Sequence, residues 1–215
     1  MLITNILLVA LLGYLLGSIP FGAIISRRSK IDIQQTGSGK TGATNVLRTM
    51  GRKAAAVVAL LDVLKGALAV VLAGFLIGHE QLSIGSYTLG IFTGQAIAGL
   101  AAMAGHIWPV FLRFKGGRGV ATFFGSLIAL CPVAGLFGGE VLIIGAGLTG
   151  FASLGSITGV IGTYAVLVPL TLMYGFPVEY LVYAVIGSSV IIYMHRDNIK
   201  RLLAGKERKI SDKAG

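Results

Sequence analysis

Residues 119–150 read GVATFFGSLIALCPVAGLFGGEVLIIGAGLTG, a stretch whose sole charge is Glu140 and which carries Pro132 near its middle. A membrane-spanning helix needs about 20 mostly apolar residues, so the stretch is too long for one span and short for two. Its flanks decide the matter. Arg113, Lys115 and Arg118 lie just before it, and no Lys or Arg follows until Arg196. Positive-inside bias puts both basic segments on one side of a bilayer, and the apolar runs 155–174 and 177–194 already supply two crossings. Residues 119–150 must therefore cross an even number of times. Because Pro132 has no N–H to continue a helix, the expectation is a hairpin of two helices of about 14–16 residues, each about 21–24 Å long. A double crossing with a locally thinned bilayer and a re-entrant hairpin both satisfy this parity. Either way GFASLGS (150–156) returns to the side it started from.

The rest of the chain extends the same reading. Of 215 residues, 55% are apolar and 12% charged, where soluble domains carry roughly 25% charge, which excludes a water-soluble domain. Further apolar runs cover 3–26, 54–78 and 88–105. The first has no Lys or Arg before it, Arg27 and Arg28 after it and no small-residue cleavage site, so it reads as a retained helix and not a secretory signal. The net charge of +10 is concentrated in three segments. These are 27–53 (Arg27, Arg28, Lys30, Lys40, Arg48, Arg52, Lys53), 106–118, and 195–215 (Arg196, Lys200, Arg201, Lys206, Arg208, Lys209, Lys213). Lys65 alone stands inside a run. The excess thus sets orientation and does not point to nucleic acid. The expectation is an all-α integral membrane protein with seven transmembrane helices, N-out and C-in, with glycine-rich cytoplasmic loops. Residues 1–207 form one polytopic domain and 208–215 a basic cytoplasmic tail. The single cysteine, Cys131, excludes an internal disulfide, and His79, His106 and His195 are too dispersed for a dedicated transition-metal site. Gly90/Gly94, Gly135/Gly139 and Gly155/Gly159 fit small-residue packing seams.

Two cytoplasmic segments have the chemistry of anion sites. Gly37-Ser38-Gly39-Lys40-Thr41 lacks the earlier glycine of a nucleotide-binding P-loop, since Gln34 stands there, and it follows a membrane helix and not a strand. What remains is backbone freedom for N–H groups to converge on an anion, hydroxyl donors, and Arg48 as a bidentate phosphate ligand. Lys115-Gly116-Gly117-Arg118 stands immediately before a helix start, where free N–H groups and the helix dipole favour negative charge. Asp62 and Lys65 share one face of the second span, about 12–17 Å along that helix, at a depth where charges pair or face a cavity. They are cavity-lining candidates with His106. Glu140 has no partner nearby in sequence and fits the outer interface.

Taken together, GSIPFG (17–22), GSGKTGATNVLR (37–48), LDVLKG (61–66), GHIWPVFLRFKGGRGVAT (105–122), SLGSI (153–157) and HRDNIKRLLAGKE (195–207) closely resemble the bacterial membrane glycerol-3-phosphate acyltransferases that use acyl phosphate, the PlsY family. The resemblance implies acyl transfer from acyl phosphate to position 1 of glycerol-3-phosphate, giving lysophosphatidic acid and inorganic phosphate. It also implies the bacterial inner membrane, an active site facing the cytoplasm, no cofactor or metal, and no obligate protein partner. By motif, Ser38, Arg48, Lys115, Asn198 and His195 would be catalytic. Gly37, Gly39, Asn45, Gly116, Gly117, Arg118, Ser153 and Ser156 would bind substrate phosphate. Lys40 replaces a usual Asn, Arg118 a usual Lys, and Leu148 to Ala152 lack the basic residues common before the serines.

An acyl phosphate already carries a good leaving group, so the protein has to position two phosphates, stabilise an oxyanion and provide a base. The HxxxxD pattern of thioester acyltransferases is absent. No recognisable His–carboxylate pair stands near the glycine loops, so a substrate phosphate, with a second pKa near 6, is the expected base. The alternative class, a transporter for a phosphorylated solute, predicts an internal repeat; only the 119–150 hairpin hints at one, without a counterpart.

Overall fold

The computed structural model describes residues 1–212; Lys213, in the expected basic tail, lies outside the described residues. Among these residues the regular structure is helical apart from one short hairpin. Helix α1 (Leu2–Ser18) and α2 (Phe21–Arg28) are separated at Ile19–Pro20, where the proline ring ends the first helix. They are followed by α3 (Ala43–Met50), α4 (Arg52–Ile77), the antiparallel strands β1 (Leu82–Ile84) and β2 (Tyr87–Leu89), and α5 (Ile91–Ile107). The stretch 119–150 divides at Cys131 into α6 (Val120–Leu130) and α7 (Pro132–Thr149). The rest comprises α8 (Ala152–Gly162), α9 (Tyr164–Tyr174), α10 (Val178–Met194) and α11 (Arg196–Leu203). The hairpin occupies a connection that the sequence marks only as free of basic residues.

Helix α4 explains why such elements are stable only in lipid. Val57, Leu60, Leu64, Leu68, Val71 and Phe75 repeat every three or four residues and are all exposed. The opposite face, with Val58, Asp62, Lys65, Val70 and Ala73, is buried. A soluble helix has the reverse arrangement. Among the described residues, five helical stretches are long and apolar enough to cross a membrane: Leu2–Arg28, Arg52–Ile77, Ile91–Leu112, Pro132–Thr149 and Ala152–Tyr174. A sixth arises if α10 and α11, bent by 58° at their junction, are taken as one broken span. Helix α6, of 11 residues, is only about 16 Å long, shorter than the hairpin arm expected from sequence because Cys131 already ends it.

Close backbone contacts lock the helices. On α6, Gly125 faces the Val63 carbonyl of α4, and on α4, Gly66 faces the Thr122 carbonyl of α6, so a Cβ at either would overlap backbone. Helix α1 crosses α5 in the same way through Gly17 and Gly105. Of the predicted seams, Gly155 and Gly159 do pack into α7 at Leu142 and Ala146. Gly94 packs on Ile77 and Gly135 on Ile128, whereas Gly139 meets nothing and Gly90 precedes α5, against Gln81. This packing brings the start of α6, the middle of α4 and the end of α5 to one place.

Candidate active site

A cavity of about 500 Å³ opens there, between the loops at one end of the bundle and the α6–α7 hairpin. That is ample for a small amphipathic ligand. Its upper wall is polar, with Ser38, Lys40, Asn45 and Arg48 from the first loop and α3, Arg118 from the second loop, Ser153 and Ser156 from α8, and His195 after α10. Asp62 and His106 also reach the wall from α4 and α5. Its lower wall is apolar, made by Phe124 and Ile128 of α6 and Leu136, Leu142 and Ile143 of α7. Glu140, expected at the outer interface, lines this part too.

The first loop is organised by Asn45, which is 2% exposed. Its Oδ1 accepts from the Ser38 N–H at 2.9 Å, and its Nδ2 donates to the carbonyls of Ile33, Thr36 and Lys40. The amide is thus committed to folding the loop. Gly37 and Gly39 adopt left-handed backbone at φ 65° and 67°, which glycine does without steric cost. Gln34 Nε2 donates to the Lys115 carbonyl at 2.9 Å, joining the two loops.

In the second loop the N–H of Gly116 donates to the Ile107 carbonyl and that of Gly117 to the His106 carbonyl, both at 3.1 Å. These groups therefore finish α5 and do not point free into the cavity. Lys115 is exposed and stands outside the cavity wall. Arg118 does reach the cavity, and its Nε is buried with no acceptor among the described residues, an unmet donor of the kind an anionic ligand satisfies. Lys40, half-buried beside it, has its pKa lowered by burial and by the nearby Arg118 and Arg196 charges.

The end of the chain closes the site. The Glu207 side chain, 3% exposed, accepts from Ser153 Oγ at 3.0 Å, Asn198 Nδ2 at 2.6 Å and Arg201 Nε at 2.8 Å. Burial alone would raise its pKa, but these hydrogen bonds and the Arg201 charge hold the carboxyl below its ordinary value. Arg48 donates from Nε and Nη2 to the Lys209 carbonyl and from Nη2 to that of Arg208, while the Ile210 N–H donates to the Gly150 carbonyl. Residues 205–210 thus form a strap from α3 to the α7–α8 corner. His195 is 2% exposed; burial and then the Arg118 charge push its imidazole down to about 4. It is neutral near pH 7, with Nδ1 donating to the Ile191 carbonyl at 2.8 Å.

The model of the glycerol-3-phosphate acyltransferase family matches residues 7–205. The chain belongs to the glycerol-3-phosphate acyltransferase family. It is 70% identical over 215 residues to glycerol-3-phosphate acyltransferase 3 of Dehalococcoides mccartyi (strain CBDB1), covering all of both chains. It is 42% identical to the enzyme of Thermoanaerobacter pseudethanolicus, covering 96% of each. Among solved structures it is similar to PlsY (YgiH), an integral membrane glycerol 3-phosphate acyltransferase, in its glycerol 3-phosphate form. The identity there is 37%, the TM-score 0.82, and the match covers 95% of this chain and 94% of that one. The lysophosphatidic acid form of that enzyme gives a TM-score of 0.78.

In this family member the residues proposed from sequence divide by placement. Ser38, Asn45, Arg48, Asp62, His106, Arg118, Ser153, Ser156 and His195 share one cavity, whereas Gly37, Gly39, Lys65, Lys115, Gly116, Gly117 and Asn198 support its walls or stand outside them. Two features escape the sequence. Glu207, an acid among Lys206, Arg208 and Lys209, reads there as charge balance, and its position at the end of the last motif is the one signal for it. The second corrects an expectation: a His–carboxylate pair does stand beside the glycine loops, because His106 Nδ1 lies 3.4 Å from Asp62 Oδ1. Their separation in sequence conceals it.

Proposed function

We propose that this acyltransferase uses acyl phosphate as donor and makes lysophosphatidic acid and inorganic phosphate. The observation that carries the reading is the cavity's division into a cationic end and an apolar slot. It suits a donor whose phosphate meets Arg118, Arg48 and Lys40 while its chain lies between α6 and α7. The Ser38 hydroxyl is placed to donate to a phosphate oxygen, whereas the Ser153 and Ser156 hydroxyls already donate to Glu207 Oε1 and to the Ala152 carbonyl and shape the wall that His195 and Asn198 close. Asn45, Gly37, Gly39, Gly116 and Gly117 act by shaping the two loops. Lys115, on the exposed side, contributes long-range attraction.

In the step itself, the position-1 hydroxyl oxygen of glycerol-3-phosphate attacks the acyl carbonyl carbon, and the bond from that carbon to the donor phosphate oxygen breaks. The hydroxyl proton passes to a phosphate oxygen, whose second pKa near 6 suits it as base, and inorganic phosphate leaves. The guanidinium groups offset the charge that develops on the carbonyl oxygen. No cofactor or metal enters this scheme. The basic loops favour a seven-span, N-out and C-in arrangement, with short α6 as one arm of the hairpin and the cavity open to the cytoplasm of a bacterial inner membrane.

The test is phosphate release by purified protein given acyl phosphate and glycerol-3-phosphate, with and without chelator, beside solute uptake into proteoliposomes. Release that needs both substrates and ignores the chelator is expected. Acylation from a thioester donor only, or uptake without release, would refute the reading.

A further inference from the structure

Helix α1 breaks at Pro20, where the Ile19 carbonyl accepts from the Phe21 N–H at 3.2 Å, and Lys65 Nζ also donates to it at 2.9 Å from α4. The same ammonium lies 2.8 Å from Asp62 Oδ1, and that oxygen faces His106 Nδ1 on α5. All three side chains are buried, at 4%, 2% and 6% exposure. Buried charges at this depth pair with one another, and here the pairing has a direction. With Nδ1 turned to the carboxylate, the other edge of the His106 ring is turned to the second loop. A Cβ on Gly117 would overlap His106 Nε2, and one on Gly116 would overlap the His106 carbonyl oxygen. The next residue is Arg118, whose buried Nε has no partner among the described residues.

We propose that His106 is a positioning residue: Lys65 and Asp62 fix its ring, the ring sets the path of Gly117, and that path aims Arg118 into the cavity. Gly117 is then glycine to admit the imidazole, not to expose an N–H to phosphate, since that N–H is already donated to the His106 carbonyl. The proposal rests on the reading of the cavity as the substrate phosphate site.

The test is a double-mutant cycle on the full-length protein in detergent. Gly117→Ala forces the loop off the ring by a fraction of the added contact distance, and displacements of about 1 Å in a positioning element can cost about 100-fold. His106→Asn keeps a side-chain N–H in the place of Nδ1 for Asp62 and removes the far ring edge. We expect Gly117→Ala to raise the KM for glycerol-3-phosphate or donor far more than it lowers kcat, and His106→Asn/Gly117→Ala to recover at least about tenfold of the loss. Asp62→Asn, nearly isosteric, is expected to raise KM in the same sense. If the double variant is no better than Gly117→Ala, the ring contact carries nothing and the proposal fails. If His106→Asn abolishes kcat at unchanged KM and removes a limb of the pH–rate profile, His106 is a catalytic base and the proposal is overturned. Titration calorimetry with glycerol-3-phosphate alone keeps this separate from the donor assignment. Wild-type binding without acyl-phosphate turnover would refute the donor reading, while the cycle is still read from Kd.

Discussion

Replacing Glu207 by Gln keeps the shape of the side chain and removes its charge, which makes it a sharp probe of the strap. Oε1 of the carboxylate accepts from Ser153 and Asn198, and Oε2 from Arg201. The glutamine oxygen keeps the first two as neutral bonds, each weaker by about 0.5 kcal/mol. Its amide N–H₂ then faces the Arg201 donor, and that charge-assisted bond is lost. Such bonds contribute about 1.5–3 kcal/mol; because the Arg201 side chain is 38% exposed, solvent screening places it at the low end. The total is about 2–3 kcal/mol, or roughly 30- to 150-fold in the docking equilibrium of the strap. Undocking also removes the Arg208 and Lys209 carbonyls from Arg48. Thermal unfolding in detergent at pH 7.5 should show a Tm lower by about 4–10 °C, with a raised KM for glycerol-3-phosphate in the phosphate-release assay. The pH dependence has a defined sign. The carboxyl's pKa is depressed in the fold, so its contribution is fully present above the unfolded value near 4.3 and is lost only as pH falls through the lower folded value. Wild type and variant should therefore differ by a constant amount from pH 8 to pH 5. A Tm within 1 °C of wild type and an unchanged KM would show that Glu207 does not hold the strap.

The His195 imidazole, depressed to about 4 in the fold against about 6.5 unfolded, should cost stability as pH falls from 6.5 toward 4, up to about 3 kcal/mol; His195→Asn should flatten that limb of Tm against pH. Gly125→Ala, whose Cβ would overlap the Val63 carbonyl, should destabilise by about 1–3 kcal/mol. Gly147→Ala, with open space around it, should stay within about 0.5 kcal/mol, as read by thermal unfolding. Gly139 lines the apolar slot and its Cβ would meet nothing, so Gly139→Phe should shorten the slot. Long-chain donors should then lose about fourfold in kcat/KM for each methylene displaced, at about 0.8 kcal/mol apiece, while short-chain donors are spared.

The features legible along the chain follow from forces that need no folded partner. Apolar runs of bilayer length enter lipid whatever packs beside them, and Lys and Arg stay on one side of it. Runs 54–78 and 177–194 therefore reappear as α4 and α10 nearly end for end, and Pro132 begins α7, the second arm of its hairpin. The ordered motifs likewise carried the family membership. Which motif residues face the cavity depends on how the helices pack. Asn45 is spent on the loop carbonyls, the Gly116 and Gly117 N–H groups on the end of α5, and Lys115 lies outside the wall. Asp62 and His106 become partners because α4 and α5 pack directly on each other, with Gly94 of α5 against Ile77 and Gly74 of α4 against Gln95. Glu207 acquires its three donors only when the strap folds back. These are relations of angle and ångström-scale approach between distant helices, and neither periodicity nor charge placement along a chain contains them.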